Sequence, residues 1–116
     1  MPQQILDIET DGPGLYEVTR EAARFVKASG AEAGLLTCFV RHTSASVVIQ
    51  ENADPDVQRD LQAFFARLVP RSDDPSMAWL SHTTEGPDDM PAHIKSALTA
   101  TSLGIPVSGG RLMLGT

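Results

Sequence analysis

A mixed α+β fold, with helices packed against a largely antiparallel sheet, is what this sequence predicts. Three observations carry the reading. Apolar residues recur at helical spacing in two well-marked stretches, the second bounded by an aspartate, a proline and a later proline. Other stretches alternate with a period of two. Tight, glycine-containing turns join the strand pairs, which favours antiparallel pairing with helices laid on the sheet.

Ile5 and Ile8, with polar residues between them, predict a short opening strand closed by the turn Asp11-Gly12-Pro13-Gly14. Thr19 is expected to cap a helix running through Ser29. Ala22, Ala23, Phe25 and Val26 form its apolar face, and Gly30 stops it. Residues 33–41 alternate as a strand, with Leu36, Cys38, Val40 and His42 in one phase. Small residues at 43–45 turn the chain into a further strand, 46–51, in which Val47, Ile49 and Glu51 share a face. Asp54 caps the next helix, Pro55 takes its first position, and Val57, Leu61, Phe64, Phe65 and Leu68 recur at helical spacing until Pro70. Residues 71–88 read as loop. A third helix is expected from Met90 to Thr101, with Ile94, Ala97 and Leu98 inward. A hairpin closes the pattern: Ile105-Pro106-Val107, the turn Ser108-Gly109-Gly110, then Arg111 to Leu114.

The 116 residues suit a single domain, 1–116, with a modest core that oligomerisation would help to cover. Nine basic residues against fifteen acidic ones leave a net charge of −6. No basic cluster is present, which argues against a nucleic-acid partner. A phosphorylated ligand would need local arginine, lysine or a bound cation. The single cysteine, Cys38, allows no internal disulfide and sits in an apolar run, as a packed thiol does. The N-terminal MPQQILDIETDG lacks the pattern of a signal peptide, and no apolar stretch is long enough to span a bilayer. A cytoplasmic location, with no membrane partner, is the expectation.

Three motifs give the sequence a family likeness. They are His42-Thr43-Ser44-Ala45-Ser46 running into Glu51-Asn52-Ala53-Asp54-Pro55-Asp56; Glu85-Gly86-Pro87-Asp88-Asp89-Met90-Pro91-Ala92-His93-Ile94-Lys95; and Ile105-Pro106-Val107 with Gly110-Arg111-Leu112 and Leu114-Gly115-Thr116. In order and spacing the sequence resembles the YjbQ family, the group described as secondary thiamine-phosphate synthases. The resemblance implies a curved, largely antiparallel sheet and a homotrimer. It also implies a weak transferase activity that joins a pyrimidine-methyl diphosphate to a thiazole phosphate and releases pyrophosphate. Members of the family continue past Leu-Gly-Thr with a Trp-Gln pair, a further strand and a Glu-His cluster, whereas this sequence ends at Thr116. A non-enzymatic trimeric protein that binds a small ligand or a metal is the alternative reading.

The candidate site residues lie in or beside these motifs. His42, His82 and His93 are the only histidines and form a candidate ligand set for a divalent metal, Mg²⁺ or Zn²⁺; otherwise His42 bonds backbone and His82 is a loop residue. Asp89 and His93 stand four apart, so on a helix the carboxylate would orient the imidazole or share its metal; as an alternative, Asp89 is an N-cap. Glu51, in phase with apolar residues, is the candidate general base, or else a partner of Arg41 or Arg59. Asn52 is placed to bond a substrate ring or to open the turn before Asp54. Thr43, Ser44 and Ser46 would bind phosphate through hydroxyls and backbone N–H groups, or simply permit a tight turn. Arg111 and Lys95 are the candidate cations for phosphate. The catalytic set is thus Glu51, Asp89 and His93, and the substrate-binding set Ser44, Asn52, Lys95 and Arg111.

Overall fold

The computed structural model describes residues 1–115. Its elements run α1 (Thr19–Ser29), β1 (Ala33–Phe39), α2 (Pro55–Leu68), a 3₁₀ turn (Pro75–Met77), α3 (Asp89–Leu98), β2 (Ser102–Ser108) and β3 (Arg111–Leu112). The strands form one antiparallel sheet in the order β1-β2-β3. This is the mixed helix and antiparallel-sheet architecture that the periodicities predict.

Local chemistry explains most of the boundaries. Gly30 ends α1 in the left-handed region, φ 72°, with its N–H on the Lys27 carbonyl; a side chain there would crowd its own backbone. Thr19 is the first helical residue rather than the cap, a position held by Val18 without a side-chain bond. Asp54 caps α2 as its type predicts, accepting the Asp56 N–H at 2.9 Å with Pro55 following. Gly109 and Gly110, with φ 59° and 71°, make the two-residue turn between β2 and β3, a geometry that right-handed strand twist favours.

In the sheet, Cys38 pairs with Leu103 and Leu36 with Ile105. Leu36, Cys38 and Val40 are half-buried while Leu35, Thr37 and Phe39 are exposed, so the period of two is real. Ile105 and Val107 on β2 join Val26, Val69 and Met77 as the buried apolar residues. Half-burial pushes the Cys38 thiol above its ordinary pKa.

Several expected elements differ. Residues 5–8 form no strand and are exposed. Residues 46–51 also form none: among the described residues the segment makes a single backbone bond, Val47 N–H to the Ala100 carbonyl at 2.9 Å, and pairs with no strand. Without a ladder its alternation has no buried face, and Ile49 and Glu51 are both exposed. β1 stops at Phe39, so His42 lies beyond it, exposed. Helix α3 ends at Leu98, and Ala97 and Leu98 face solvent, while Pro91 and Ser96 take the buried positions.

The chain is elongated, 52 × 30 × 21 Å, with a radius of gyration of 16.6 Å against about 13 Å for a compact domain of this size. Its accessible surface is 8720 Å², where a compact monomer of 12.4 kDa exposes about 6,100 Å². Leu35, Phe39, Val48, Ile49, Phe64, Trp79 and Leu98 contribute to that excess. No helix among the described residues is long and apolar enough to cross a membrane.

Candidate functional site

The first turn of α3 and the loop before it converge on one point. Asp89 opens the helix and His93 follows one turn later on the same face, as the i, i+4 spacing predicts. His82 approaches from the loop. Its Nε2 stands 2.9 Å from Asp89 Oδ2 and 3.2 Å from Glu85 Oε2. His93 Nε2 lies 3.4 Å from the same Asp89 oxygen. The two imidazole rings are 6.1 Å apart, tilted by 60°. One ligand atom from each of His82, Asp89 and His93 lies within 4.8 Å of the others. Asp89 and His93 are half-buried and His82 is exposed, so the group sits at the surface and open to solvent.

Proton positions follow from the partners. His93 Nδ1 is 2.9 Å from the Thr43 carbonyl, which can only accept, so Nδ1 carries the hydrogen. In the neutral ring this leaves the Nε2 lone pair facing Asp89 Oδ2. That oxygen is 3.4 Å away and is already met by His82 Nε2 at 2.9 Å, so the His93 Nε2 lone pair is open to a cation placed among the three groups. The His82 pKa is raised above 6.5 by its hydrogen bonds to Asp89, then Glu85, with the nearby negative charge adding to them. Asp89 is lowered below 3.8, chiefly by the hydrogen bond from His82. A metal ion entering here would replace the His82 Nε2 proton.

The turn 42–46 is tied to the same helix. Besides the Thr43 contact, Ser96 Oγ–H donates to the Ala45 carbonyl at 2.9 Å. Within the turn, His42 Nδ1 accepts the Ser44 N–H at 3.0 Å and lies 2.8 Å from Ser44 Oγ. The backbone donor fixes Nδ1 as an acceptor, so the neutral His42 ring carries its hydrogen on Nε2. His42 thus faces Ser44 and stands outside the group formed by His82, Asp89 and His93.

The remaining candidates are dispersed. Glu51 is exposed and engages only through its backbone N–H, on the Gln50 side chain; the buried position that its phase suggested is absent because no strand forms there. Asn52 Nδ2 donates to Glu17 Oε2, a link between the chain before α1 and the chain before α2. Lys95 is two residues from His93 and so projects from another face of α3, into a groove with Arg71, Asp88 and Pro91. Arg111 lines a cavity of about 540 Å³ with Lys27, Thr19 and Leu114. Arg111 pairs with Ser108 and Ser108 with Ala33, whereas the turn 42–46 follows the Phe39 end of β1. A seven-residue strand, about 20 Å, separates these two ends of the sheet. Thr116, the last residue of the third motif, lies outside the described residues.

Sequence reasoning passed over Glu85, the Thr43 carbonyl and Ser96. Glu85 carried a signal, since it follows His82 by three residues. The carbonyl carried none, because any residue supplies one.

Comparison with known proteins agrees with these motifs. Residues 4–116 match the family model described as UPF0047 protein YjbQ-like. A UPF0047 protein of Synechocystis sp. is 55% identical over 114 residues, covering 98% of this chain and 75% of the relative. The UPF0047 protein YjbQ of Escherichia coli O157:H7 is 39% identical over 115 residues, covering 98% and 80%. Among solved structures, an uncharacterised YjbQ/UPF0047 protein from Clostridium acetobutylicum superposes with a TM-score of 0.77 at 33% identity, covering 96% of this chain and 79% of that one. A conserved hypothetical protein from Thermus thermophilus gives 0.75 at 34% identity, covering 96% and 82%. With the family model spanning almost the whole sequence and full-length relatives at such identity, the chain belongs to the YjbQ-like UPF0047 family.

Proposed function

We propose that this chain is a weak, cation-dependent transferase of the thiamine-phosphate synthase type, with His82, Asp89 and His93 holding a divalent ion. The observation that carries the reading is the convergence of those three ligand atoms within 4.8 Å. The donor set fits an ion: two imidazole nitrogens, one carboxylate, and a backbone carbonyl that holds the His93 tautomer.

In the proposed reaction the methylene–oxygen bond of the pyrimidine-methyl diphosphate breaks, and pyrophosphate leaves with the bonding pair. The thiazole nitrogen forms the new carbon–nitrogen bond. An ion bound by His82, Asp89 and His93 would offset the charge of the leaving pyrophosphate, which a chain of net charge −6 otherwise repels. Asp89 Oδ2 lies between the two imidazoles, 2.9 Å from His82 Nε2 and 3.4 Å from His93 Nε2, where it would share the ion with both. Thr43 holds His93 in place through its carbonyl. Positioning and electrostatics carry such a reaction, with no covalent intermediate required. A homotrimer belongs to the same proposal: the exposed apolar residues and the excess accessible surface support burial against further copies.

The dispersal of the two cations supports a second reading. Arg111 and Lys95 lie in separate grooves, and neither groove includes the histidines. A trimeric protein that binds a metal or small ligand without turnover needs no phosphate cation beside the ion. The test is formation of thiamine phosphate by purified protein with each divalent metal, comparing wild type with His93→Ala, Asp89→Asn and Glu51→Gln. Turnover lost in the first two with oligomeric size unchanged supports the transferase. Turnover absent from wild type, or indifferent to both, sinks it in favour of binding alone. A rate unaffected by Glu51→Gln removes Glu51 from the mechanism.

A further inference from the structure

Glu85 touches the same atom that makes His82 a ligand. Its Oε2 is 3.2 Å from His82 Nε2, on which Asp89 Oδ2 also converges at 2.9 Å. Two carboxylates therefore aim at one nitrogen, and a single cation between them would be shared by both. His93 Nε2 reaches the Asp89 oxygen from the helix side. The Glu85 side chain is 63% exposed and, among the described residues, its carboxylate meets no lysine or arginine, so it is free to move the short distance that ligation asks.

Resting on the ion site of the preceding reading, we infer that Glu85 is a fourth ligand, and that the site selects a borderline transition ion such as Zn²⁺ over Mg²⁺. The selectivity follows from the donors. Mg²⁺ demands near-octahedral oxygen and keeps several waters. Imidazole nitrogen suits Zn²⁺ and its neighbours in the transition series, and two nitrogens with two carboxylate oxygens match four-coordinate Zn²⁺. The tautomer lock acts in the same direction. Thr43 accepts from Nδ1, so in the neutral ring Nε2 is the nitrogen that keeps its lone pair, on the Asp89 side. Glu85 also ties the loop to the site. It sits on the chain just before the positive-φ residue Gly86, so ligation would pin the loop against the first turn of α3.

The test is binding itself, read without turnover. Calorimetry with ZnCl₂ and with MgCl₂ is run on wild type, Glu85→Gln, His93→Ala and Asp73→Asn. Asp73 is a carboxylate paired with Arg71 outside the group and serves as the control. Wild type is expected to bind one Zn²⁺ per chain, undisturbed by a hundredfold excess of Mg²⁺. Glu85→Gln is expected to weaken Zn²⁺ roughly 10–100-fold, the range seen for residues supporting a metal site. Asp73→Asn should bind as wild type does. Protein loaded with Co²⁺ should show visible ligand-field bands that change in Glu85→Gln. Because Glu85 is exposed, that variant tests the idea even if His93→Ala fails to fold. Unaltered Zn²⁺ affinity and an unaltered Co²⁺ spectrum in Glu85→Gln would overturn the ligand assignment. Equal competition by Mg²⁺, or no binding of either ion, would overturn the selectivity. Zn²⁺ binding without thiamine phosphate formation sinks the transferase and leaves this inference standing; turnover supported by Mg²⁺ alone does the reverse.

Discussion

Replacing Ser96 with alanine should loosen the turn 42–46 and cost measurable stability. Among the described residues Ser96 is the one polar residue at a buried position, 8% exposed, and its hydroxyl donates to the Ala45 carbonyl at 2.9 Å. Alanine keeps the helix propensity of α3 and removes no apolar volume, so the change isolates the hydrogen bond. A neutral hydrogen bond contributes about 1 kcal/mol net, and a buried carbonyl left unpaired costs about 1–3 kcal/mol. The turn lies near solvent, so water can reach Ala45, and a loss of about 1–1.5 kcal/mol is expected. Urea unfolding is the assay. With a slope of about 1–3 kcal/mol per molar, the midpoint should fall by roughly 0.3–1.5 M at unchanged slope. Ser102→Ala, at an exposed position, is the control and should not move it. A loss under about 0.3 kcal/mol in Ser96→Ala would refute the claim that this bond anchors the turn.

Three further outcomes follow from the same geometry. Asp54→Ala should cost about 1 kcal/mol in the same assay, because it removes the side-chain acceptor of the Asp56 N–H at the start of α2. Gly30→Ala should cost about 1 kcal/mol, because φ 72° is strained for any residue with a Cβ although the space around it is open; a neutral result would mean that α1 can end elsewhere. In metal-free protein, NMR titration should show His82 with a raised pKa that Asp89→Asn returns toward 6.5. The signs set the pH window: the His82 contribution is fully present below 6.5 and is lost as pH rises through its raised value, while that of Asp89 is present above 3.8 and is lost as pH falls through its lowered value. The pair is therefore strongest between those limits, and an unperturbed His82 would contradict the hydrogen bonds described.

Much of the fold was legible because local chemistry decides it. The Asp54-Pro55 start of α2, the Gly30 stop of α1 and the Gly109-Gly110 turn are each dictated within a few residues. The misread segments are those whose fate depends on a distant partner. Residues 46–51 carry strand-like alternation, but a strand exists only where a neighbour offers a ladder, and among the described residues that segment has one bond. The inward phase of Glu51 disappeared with it. The candidate site divides the same way. Asp89 and His93 were readable as a pair because helical spacing brings them together, whereas His82 and Glu85 arrive on a loop whose path no periodicity records. The spread of Arg111 and Lys95 away from the histidines is likewise a matter of topology, set by strand register and helix phase.

The turn after β1 hangs from α3 by rungs at alternate residues: Thr43 on His93, Ala45 on Ser96, and Val47 on Ala100 just past the helix. A helix here does the work usually done by a neighbouring strand. One of those rungs is also the bond that sets the His93 tautomer, so the shape of the turn and the occupancy of the histidine group share a single imidazole. If the group holds a cation as proposed, reciprocity requires that what favours the bound form of His93 tightens the turn, and that what distorts the turn weakens binding by the same free energy. Amide exchange at residues 43–47 would then report on a cation that none of those residues touches.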